Sequence, residues 1–344
     1  MIKTAIFHLV AGCLLAALGS RAAPVVEEPW REVVVSVTDI ERSADFFQTI
    51  GGYTTLAAGV LSESEIKAWG LPASATANYR LLAPAGAPDG WIRLVDFDNA
   101  GVQKPMRPGA RAWDSGCYFS LMVRVKDIDS VYDDAIRLGW WTETPVAPLA
   151  FGKSKLRIVI FKGPDGLQVQ SYERLAPPLP EGVGPFERMT RPFNVMQMVA
   201  NHGEADRFFS ETLGFATFYS GDQPVTAPEP VLSPIGIPTA LTTTVGYQAG
   251  IFFPIAGEYG RMEAIEVVGL EGLDYSDRCL APNLGILAVR FAAGDLDRIE
   301  GRLRRDDMSW RRLNAVAWPG GERVDLLEVQ SPDGALIQFF TPLQ

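Results

Sequence analysis

Apolar and polar residues near position 33 follow first a strand pattern and then a helix pattern. Residues 33–37 form a short β-branched run, and Asp39 stands where a helix N-cap is expected. Residues 40–47 then place apolar side chains at helical spacing and end in two phenylalanines. This order predicts a strand that is followed at once by a capped helix.

The same strand–helix pattern occurs four times along the chain. Residues 194–215 repeat it, with Asn201 in the capping position, and shorter versions span residues 122–131 and 288–299. An internal repeat of this kind indicates a duplicated supersecondary unit. The chain is therefore predicted to contain four units, two in each half, each built from a strand, a helix and further strands.

A second repeated motif closes each half of the chain. Residues 163–170 read Gly-Pro-Asp-Gly-Leu-Gln-Val-Gln, and residues 331–338 read Ser-Pro-Asp-Gly-Ala-Leu-Ile-Gln. Proline presets φ and glycine accepts a left-handed corner, so Pro-Asp-Gly predicts a tight turn that leads into a strand. Residues 90–93, Gly-Trp-Ile-Arg, are echoed in the same way by residues 260–263, Gly-Arg-Met-Glu. The matches indicate that both halves repeat one fold.

The helix motif Val-x-Asp-Ile-x-x-Ser-x-x-Phe-Phe and the closing motif Pro-Asp-Gly-x-x-x-Gln resemble the vicinal oxygen chelate superfamily. That superfamily includes glyoxalase I, extradiol dioxygenases, methylmalonyl-CoA epimerase and bleomycin resistance proteins. The resemblance covers residues 30–175 and 192–344, and residues 176–191 form a linker rich in proline and glycine. It implies an α+β fold of tandem vicinal oxygen chelate domains, each built from two βαβββ modules forming a curved cup-like sheet. Because a fold does not fix chemistry, function has to be argued from the site.

The first 22 residues predict an export signal. Lys3 supplies a short positive region, residues 6–18 are apolar, and residues 20–22 form a small-x-small cleavage sequence. The sequence Val-Ala-Gly-Cys, which ends at Cys13, also resembles a lipobox and would make the chain a lipoprotein. Ordinary cleavage is the favoured interpretation because the apolar run continues beyond Cys13. Both interpretations predict a periplasmic or secreted protein.

Charge and length exclude some classes of partner. Lys and Arg number 31 against 41 Asp and Glu, which gives a net charge of −10, and an acidic surface repels phosphate backbones. No segment after the export signal is apolar for long enough to span a membrane. The expected partner is a small-molecule ligand or substrate. The sequence is compatible with a homodimer as well as with a monomer. Cys117 and Cys279 are interpreted as separate buried thiols, because sequence does not fix their separation.

The resemblance also implies where a site would lie. In metal-dependent members the ligands stand on the first and last strands of each module, seven residues before the helix cap and four residues after the glycine of the closing turn. In this chain these spacings select Glu32, Ser120, Asn194, Gln170 and Gln338, with Ile286 as the first-strand position of module four. The closing strands of modules one and three offer Asp96 and Glu266, in a register that the pattern does not fix.

The histidine content argues against a transition metal. The chain has two histidines, His8 in the export signal and His202, and neither stands at a ligand position. Imidazole is the commonest ligand of such metals, so extradiol dioxygenase chemistry is excluded and a nickel or zinc glyoxalase site is not expected. The expected cofactor is none. The alternative is a hard divalent cation such as Mg²⁺, held weakly by oxygen donors; those donors would be Glu32, Asp96, Ser120 and Gln170.

Without a metal, a carboxylate inside apolar walls has a raised pKa and can transfer a proton near neutral pH. Glu32 or Asp96 is the predicted catalytic group, and Glu32 is predicted to face the same pocket as Gln170, between the paired N-terminal modules. The residues predicted to bind substrate are Ser120, Gln170, Trp69, Trp91, Tyr118, Arg124, Asn194, Glu266 and Gln338.

Tryptophan side chains suit flat or apolar ligands, so they indicate the class of compound that the pocket would hold. The sequence predicts a metal-independent lyase or isomerase that acts on a small apolar or aromatic compound by carboxylate general acid/base chemistry. The alternative is a non-catalytic protein that sequesters such a compound, as the bleomycin resistance relatives do.

Overall fold

The computed structural model describes residues 23–26, 28–109, 111–318 and 321–343. The predicted export signal, with Cys13, lies outside the described residues. The predicted α+β architecture of four βαβββ modules is confirmed. Across the segments that the structure describes, no helix has the length and apolar content needed to cross a membrane.

The modules follow one another along the chain with short connections. Module one comprises β1 (Glu32–Ser36), α1 (Ile40–Asp45), β2 (Thr54–Val60), α2 (Glu63–Ala68), β3 (Thr76–Ala83) and β4 (Trp91–Asp98). Module two comprises β5 (Tyr118–Arg124), α3 (Ile128–Arg137), β6 (Ala147–Phe151), β7 (Ser154–Lys162) and β8 (Gln168–Ala176). Module three comprises β9 (Asn194–Met198), α4 (His202–Arg207), β10 (Ala216–Ser220), β11 (Gly246–Phe253) and β12 (Arg261–Val268). Module four comprises β13 (Gly285–Ala292), α5 (Leu296–Arg305), β14 (Trp310–Ala317), β15 (Arg323–Gln330) and β16 (Leu336–Pro342).

The helices α1, α4 and α5 start at the polar residues that the sequence marks as caps. The side chains of Asp39, Asn201 and Asp295 each accept a hydrogen bond of 3.0 Å from the backbone N–H three residues further on. Such a bond satisfies one of the free N–H groups of the first helical turn. In modules one and three the helix continues into a π-helical turn, Phe46–Ile50 and Phe208–Thr212, whose two adjacent phenylalanines are buried. These turns therefore anchor the helices to the core.

The four modules pair in a nested order. One eight-stranded sheet has the strand order β14-β15-β16-β13-β1-β4-β3-β2, and the other has the order β10-β11-β12-β9-β5-β8-β7-β6. The first sheet, called the outer cup below, combines modules one and four. The second, the inner cup, combines modules two and three. The antiparallel pairs β1–β13 and β5–β9 join the modules, so each curved sheet takes one module from each half of the chain.

The two sheets share one core on their helix-bearing faces. The ring of Phe46 in module one lies 4.1 Å from that of Trp140 in module two, centroid to centroid. Likewise Phe215 of module three lies 5.6 Å from Phe291 of module four. Smaller apolar clusters line the opposite, concave faces. The concave faces thus stay separate from the shared core and are available to form sites.

A disulfide joins the two cups. Cys117, just before β5, is bonded to Cys279, in the loop that leads to β13, with an S–S distance of 2.12 Å. The interpretation of these residues as separate thiols is wrong. The nested pairing brings two cysteines that lie 162 positions apart in sequence to a Cα–Cα distance of 5.2 Å, within the normal range for a disulfide.

Candidate active site in the inner cup

Four polar side chains meet at the centre of the inner cup because of its strand register. Asn194 on β9 pairs with Met122 on β5, and Met122 pairs in turn with Gln170 on β8. Two residues further along β9, Met196 pairs with Ser120 on β5 and with Glu263 on β12. Since alternate residues of a strand face the same side, Ser120, Gln170, Asn194 and Glu263 converge from four adjacent strands.

The four side chains form two hydrogen-bonded pairs. Gln170 Nε2 donates to Ser120 Oγ at 2.6 Å, and the Tyr172 hydroxyl donates to Gln170 Oε1 at 2.8 Å. On the other side, Asn194 Nδ2 donates to Glu263 Oε2 at 2.6 Å. The Asn194 Oδ1 atom is buried without a hydrogen-bond partner. The orientation of each side chain is therefore fixed by a neighbour, while hydrogen-bonding capacity remains for a ligand.

Gln170, Asn194 and Glu263 border a cavity of about 250 Å³ in the inner cup, and Ser120 lies fully buried beside Gln170, outside the cavity lining. Most of its wall is apolar and comes from methionine, isoleucine and aromatic side chains; examples are Met122, Ile158, Met196, Ile235, Tyr247 and Ile265. An apolar cavity with a few convergent polar groups is the usual form of a small-molecule site.

Glu263 is the one carboxylate at the centre of this cavity. The cup walls enclose the side chain, and the part that remains accessible faces the cavity. Burial raises its pKa from 4.5 to about 7, and the hydrogen bond from Asn194 and the charge of Arg261 offset only part of that effect. Near neutral pH, Glu263 is therefore divided between its protonated and ionised forms.

The architecture can be compared with proteins of known structure. No protein-family model matches the sequence, and no curated protein matches it. Glyoxalase I from Zea mays superposes with a TM-score of 0.58 at 13% sequence identity, over 91% of this chain and 92% of that one. A putative dioxygenase from Bacillus subtilis subsp. subtilis str. 168 gives a TM-score of 0.54 at 10% identity, over 94% of this chain and 86% of that one. The protein has the vicinal oxygen chelate fold.

At these identities the likeness establishes the vicinal oxygen chelate fold alone. The chemistry of the protein therefore has to be inferred from the residues that line the two cups. In the outer cup, the positions equivalent to the inner four are occupied by Glu32, Arg93, Ala288 and Gln338. Arg93 donates to both carboxylate oxygens of Glu32, from Nε at 3.0 Å and from Nη2 at 2.7 Å. A second guanidinium, that of Arg290, donates to Glu32 Oε1 at 2.8 Å. The outer cup is thus occupied by its own ion pairs.

Further residues complete the outer-cup network. Arg290 Nε donates to Gln338 Oε1 at 2.6 Å, and Gln338 Nε2 donates to Glu328 Oε1 at 2.6 Å. Helix α2 adds Glu65, whose Oε1 lies 3.4 Å from Arg290 Nη2. The rings of Trp69 and Trp318 lie 5.1 and 4.2 Å from the Arg290 guanidinium, so they hold it by cation–π contact.

The prediction that Glu32 has a raised pKa is wrong. Burial by itself would raise the pKa of Glu32, but the adjacent guanidiniums of Arg93 and Arg290 outweigh burial and lower it. Glu32 is therefore ionised at neutral pH and engaged with two cations. The expectation that it shares a pocket with Gln170 is also wrong, because the nested pairing puts β1 and β8 in different sheets.

Asp96 and Glu266 lie three residues beyond the positions that face the cups, and an odd offset reverses the face of a strand. Asp96 stands beside Asp98, Asp165 and Asp39, and burial together with these like charges raises its pKa. Glu266 accepts a hydrogen bond of 2.8 Å from the backbone N–H of His202 at the start of α4. Neither carboxylate faces a cavity centre. Ile286 is likewise replaced by Ala288 as the first-strand position of module four.

The remaining predicted residues divide between the cups and the surface. Ser120, Gln170, Asn194 and Arg124 belong to the inner cup, and Gln338 and Trp69 to the outer cup. Tyr118 lies between the sheets, where its hydroxyl donates to the Leu336 carbonyl at 2.9 Å. Trp91 is half-buried at the start of β4 and donates to the Ala87 carbonyl at 2.8 Å. Tyr118 and Trp91 therefore do not line the inner cavity.

Sequence reasoning missed Glu263 and Arg93, although a signal for both was present. They are the final residues of the matched tetrapeptides 90–93 and 260–263, each three residues after the glycine. In modules two and four the corresponding glutamines, Gln170 and Gln338, follow the glycine of the turn by four residues. A spacing shorter by one residue would have selected Arg93 and Glu263.

Among the residues that the structure describes, neither cup has a set of side chains that fits a transition metal. The inner cup offers one carboxylate, one hydroxyl and two amides whose N–H groups are directed at neighbours within the set, and it has no imidazole. The outer cup has a guanidinium at one of the four positions. Nickel, zinc and iron sites need stronger donors than these. The four oxygen donors suggested for a hard cation do not meet, since Glu32, Asp96 and Ser120 lie on three different faces.

Proposed function

We propose that the inner cup is the active site of a metal-independent lyase or isomerase that acts on a small apolar or aromatic compound, with Glu263 as general acid and base. The observation that carries the proposal is an enclosed carboxylate with a pKa of about 7 at the centre of an apolar cavity. A group with this pKa is efficient at both accepting and returning a proton near neutral pH.

The neighbours of Glu263 suit the removal of a proton from carbon next to a carbonyl group. Ionised Glu263 would take the proton, and the electron pair of the C–H bond would form an enolate. Asn194 holds the carboxylate in place by its hydrogen bond of 2.6 Å. The Ser120 hydroxyl accepts a hydrogen bond from Gln170 and holds that side chain in place. The hydroxyl of Tyr247, which lines the same cavity, would donate to the enolate oxygen.

The captured proton then determines the product. Return of the proton from Glu263 to another carbon, or to the other face of the same carbon, gives an isomerase. Transfer to a leaving group on the adjacent carbon gives a lyase, because the enolate electron pair expels that group. Glu32 and Asp96, the carboxylates first expected in this role, have no place in this scheme, since one is paired with two arginines and the other lies on the helix-bearing face.

We also propose that the protein works outside the cytoplasm. The export signal predicted in residues 1–22 motivates this, and the Cys117–Cys279 disulfide supports it, because such bonds persist in oxidising compartments.

The test is proton exchange between a carbon acid and D₂O, followed by proton NMR. The probes are phenylpyruvate and phenylacetone, two aryl ketones with an activated CH₂ group. Wild-type protein should accelerate exchange of at least one probe, Glu263→Gln should lose the acceleration, and the matched control Glu266→Gln should keep it. The proposal fails if wild type accelerates neither exchange or if Glu263→Gln retains the activity. Saturable binding of a probe without exchange would support the sequestering protein instead.

A further inference from the structure

Three arginines line one end of the inner cavity. Arg124 on β5 lies two residues beyond Met122, Arg174 on β8 lies four residues beyond Gln170, and Arg261 on β12 lies two residues before Glu263. Because β12 runs antiparallel to β5 and β8, these positions fall at the same end of the cup. The proton-transfer scheme leaves all three side chains without a role.

The positive charge of these arginines is only partly neutralised. Glu258 lies 2.7 Å from Arg124 Nη2 and 3.6 Å from Arg261 Nη2. Within the described part of the chain, Arg174 has no ion-pair partner, and the Nε atoms of Arg174 and Arg261 are buried without a hydrogen-bond partner. Among the described residues, the carboxylate in ion-pair contact with these guanidiniums is that of Glu258. Buried N–H groups of this kind favour an acceptor supplied by a ligand.

The arginines lie close enough to influence one another. Burial lowers the pKa of Arg124 to about 10; the charge of Glu258 opposes this shift, and the charges of Arg261 and Arg174 add to it. Burial also lowers the pKa of Arg174 and Arg261. All three side chains still carry charge at neutral pH, so an anion bound between them would relieve their mutual repulsion.

Aromatic rings fix these guanidiniums and close the same end of the cup. Phe193 lies 4.1 Å from the guanidinium carbon of Arg124, and Phe218 lies 4.4 Å from that of Arg261. Phe218 also stacks on Phe151 at 6.5 Å, which brings together β10 and β6, the two terminal strands of the sheet. The arginine-lined end thus adjoins an apolar wall.

We infer that Arg124, Arg174 and Arg261 form a carboxylate-binding subsite, so that the substrate of the inner cup is a small carboxylic acid with an apolar or aromatic body. A bidentate match between guanidinium and carboxylate makes arginine well suited to this task. Arg261 and Glu263 are two residues apart on one face of β12, a separation of about 7 Å. The carbon that loses its proton therefore lies within a few bonds of the carboxylate.

This inference rests on the proposed function for the identity of the substrate, but its test measures binding. The probes are phenylpyruvate, which carries a carboxylate, and phenylacetone, in which a methyl group replaces it. Calorimetric titration of wild type should give at least about tenfold tighter binding of phenylpyruvate, a difference of about 1.4 kcal/mol. Arg174→Gln should reduce that preference to less than about threefold and leave the affinity for phenylacetone unchanged.

Two further variants separate a specific subsite from general charge. Arg174→Lys should restore part of the preference, since the charge is kept and the bidentate geometry is lost. Arg42→Gln, which removes an exposed cation on α1, should leave both affinities unchanged. The inference would be overturned by equal affinities for the two probes, by the absence of saturable binding of either, or by a preference that survives Arg174→Gln. It would also be overturned if inorganic phosphate competed with phenylpyruvate for the site more strongly than acetate does.

The outcomes for the subsite and for the catalytic proposal are distinguishable. A preference for phenylpyruvate without deuterium exchange leaves the subsite standing and removes the catalytic role of Glu263. Exchange of both probes at equal affinity leaves the catalytic role standing and removes the subsite.

Discussion

The outer and inner cups share one strand order and one register, yet the polar groups at their centres differ in charge balance. In the outer cup Glu32 faces Arg93 and Arg290, and the charges neutralise each other within the protein. In the inner cup Glu263 faces the amide of Asn194, and no cation among the residues that the structure describes is bonded to it. The pKa of Glu32 is lowered and that of Glu263 is raised as a result.

One residue on the last strand of module one, and its equivalent in module three, account for much of this contrast. Arg93 on β4 and Glu263 on β12 occupy equivalent positions, because each is registered with the residue two places after the first-strand polar residue, Glu32 or Asn194. An arginine there neutralises its neighbour and forms a structural centre. A carboxylate there stays unpaired and forms a reactive one.

The coverings of the two cups reinforce the difference. Helix α2 lies over the outer cup and is tied to β14, where Ser62 Oγ donates to the Ala317 carbonyl at 2.9 Å and Ser64 Oγ accepts from the Ala317 N–H at 2.8 Å. It contributes Glu65 and Trp69 to the interior. In the inner cup, the corresponding segment between β10 and β11 contributes Ser233, Pro234 and Ile235 to the cavity wall. The same architecture thus supports a filled centre in one sheet and a ligand-sized space in the other.

The largest effect should come from exchanging each central carboxylate for its amide and measuring turnover. Glu263→Gln should lower the rate of deuterium exchange by about 10²–10⁴-fold, the usual contribution of a general base. Wild-type activity should rise with pH through about 7, because the base must be ionised and its pKa is raised to that value. Glu32→Gln, measured on the folded fraction, should retain the rate. Equal losses in the two variants would show that the cups do not differ in this way.

The next largest effect is on stability, and here the outer cup should be the more sensitive of the two. Glu32→Ala leaves Arg93 and Arg290 buried without their carboxylate, so the free energy of unfolding should fall by about 3–5 kcal/mol in urea denaturation. The matched control Glu41→Ala removes an exposed ion pair with Arg80 and should have a far smaller effect. A loss no greater than that of the control would mean that the outer network does not stabilise the fold.

The sequence allowed the fold and about half of the inner site to be predicted. Helix caps such as Asp39 and Asn201 are local signals, and their hydrogen bonds need only residues three positions apart. The resemblance to the vicinal oxygen chelate superfamily pointed to Ser120, Gln170 and Asn194, because the ligand positions that it implies are counted from a cap or a turn within one module. These features did not depend on how modules pair.

The remaining features depend on contacts between distant segments. Which modules share a sheet is decided by the pairs β1–β13 and β5–β9, and no local pattern encodes them. That choice determines that Glu32 meets Arg290 and not Gln170, and that Cys117 meets Cys279. The register of β4 and β12 was missed by three residues. On β12 both Glu263 and Glu266 are acidic, so composition does not distinguish them; on β4 the search for a carboxylate selected Asp96, whereas the cup-facing residue is Arg93.

A third prediction concerns how each carboxylate couples stability to pH. Folding raises the pKa of Glu263 from 4.5 to about 7, so the folded state holds a proton that the unfolded chain releases. Its contribution to stability is full below pH 4.5 and is lost as the pH rises to about 7, by about 1.4 kcal/mol per unit. Glu263→Gln should therefore gain about 2–3 kcal/mol relative to wild type between pH 4.5 and pH 8 in urea titrations.

Glu32 should show the reverse dependence, and the two can be compared in one experiment. Its pKa is lowered in the folded state, so its ion pairs stabilise the protein above the ordinary pKa and are lost as the pH falls through the folded value. Glu32→Gln should thus be most destabilising near neutral pH and least destabilising in acid. Parallel pH profiles for the two variants would contradict the opposite shifts.

The smallest expected effect comes from replacing Glu32 together with its two arginines and Glu65, the ion-paired centre of the outer network. Removing one member of a buried ion pair leaves an uncompensated charge, whereas replacing all members by apolar side chains removes the desolvation cost together with the attraction. The combined variant Glu32→Leu, Arg93→Leu, Arg290→Leu and Glu65→Leu should therefore unfold within about 2 kcal/mol of wild type, although Glu32→Ala alone costs more. Because the inner cup takes no residue from this network, the combined variant should also keep its binding of phenylpyruvate. A loss of stability larger than that of Glu32→Ala would mean that the network determines the packing of the outer cup, and a loss of binding would mean that the two cups are coupled through their shared core.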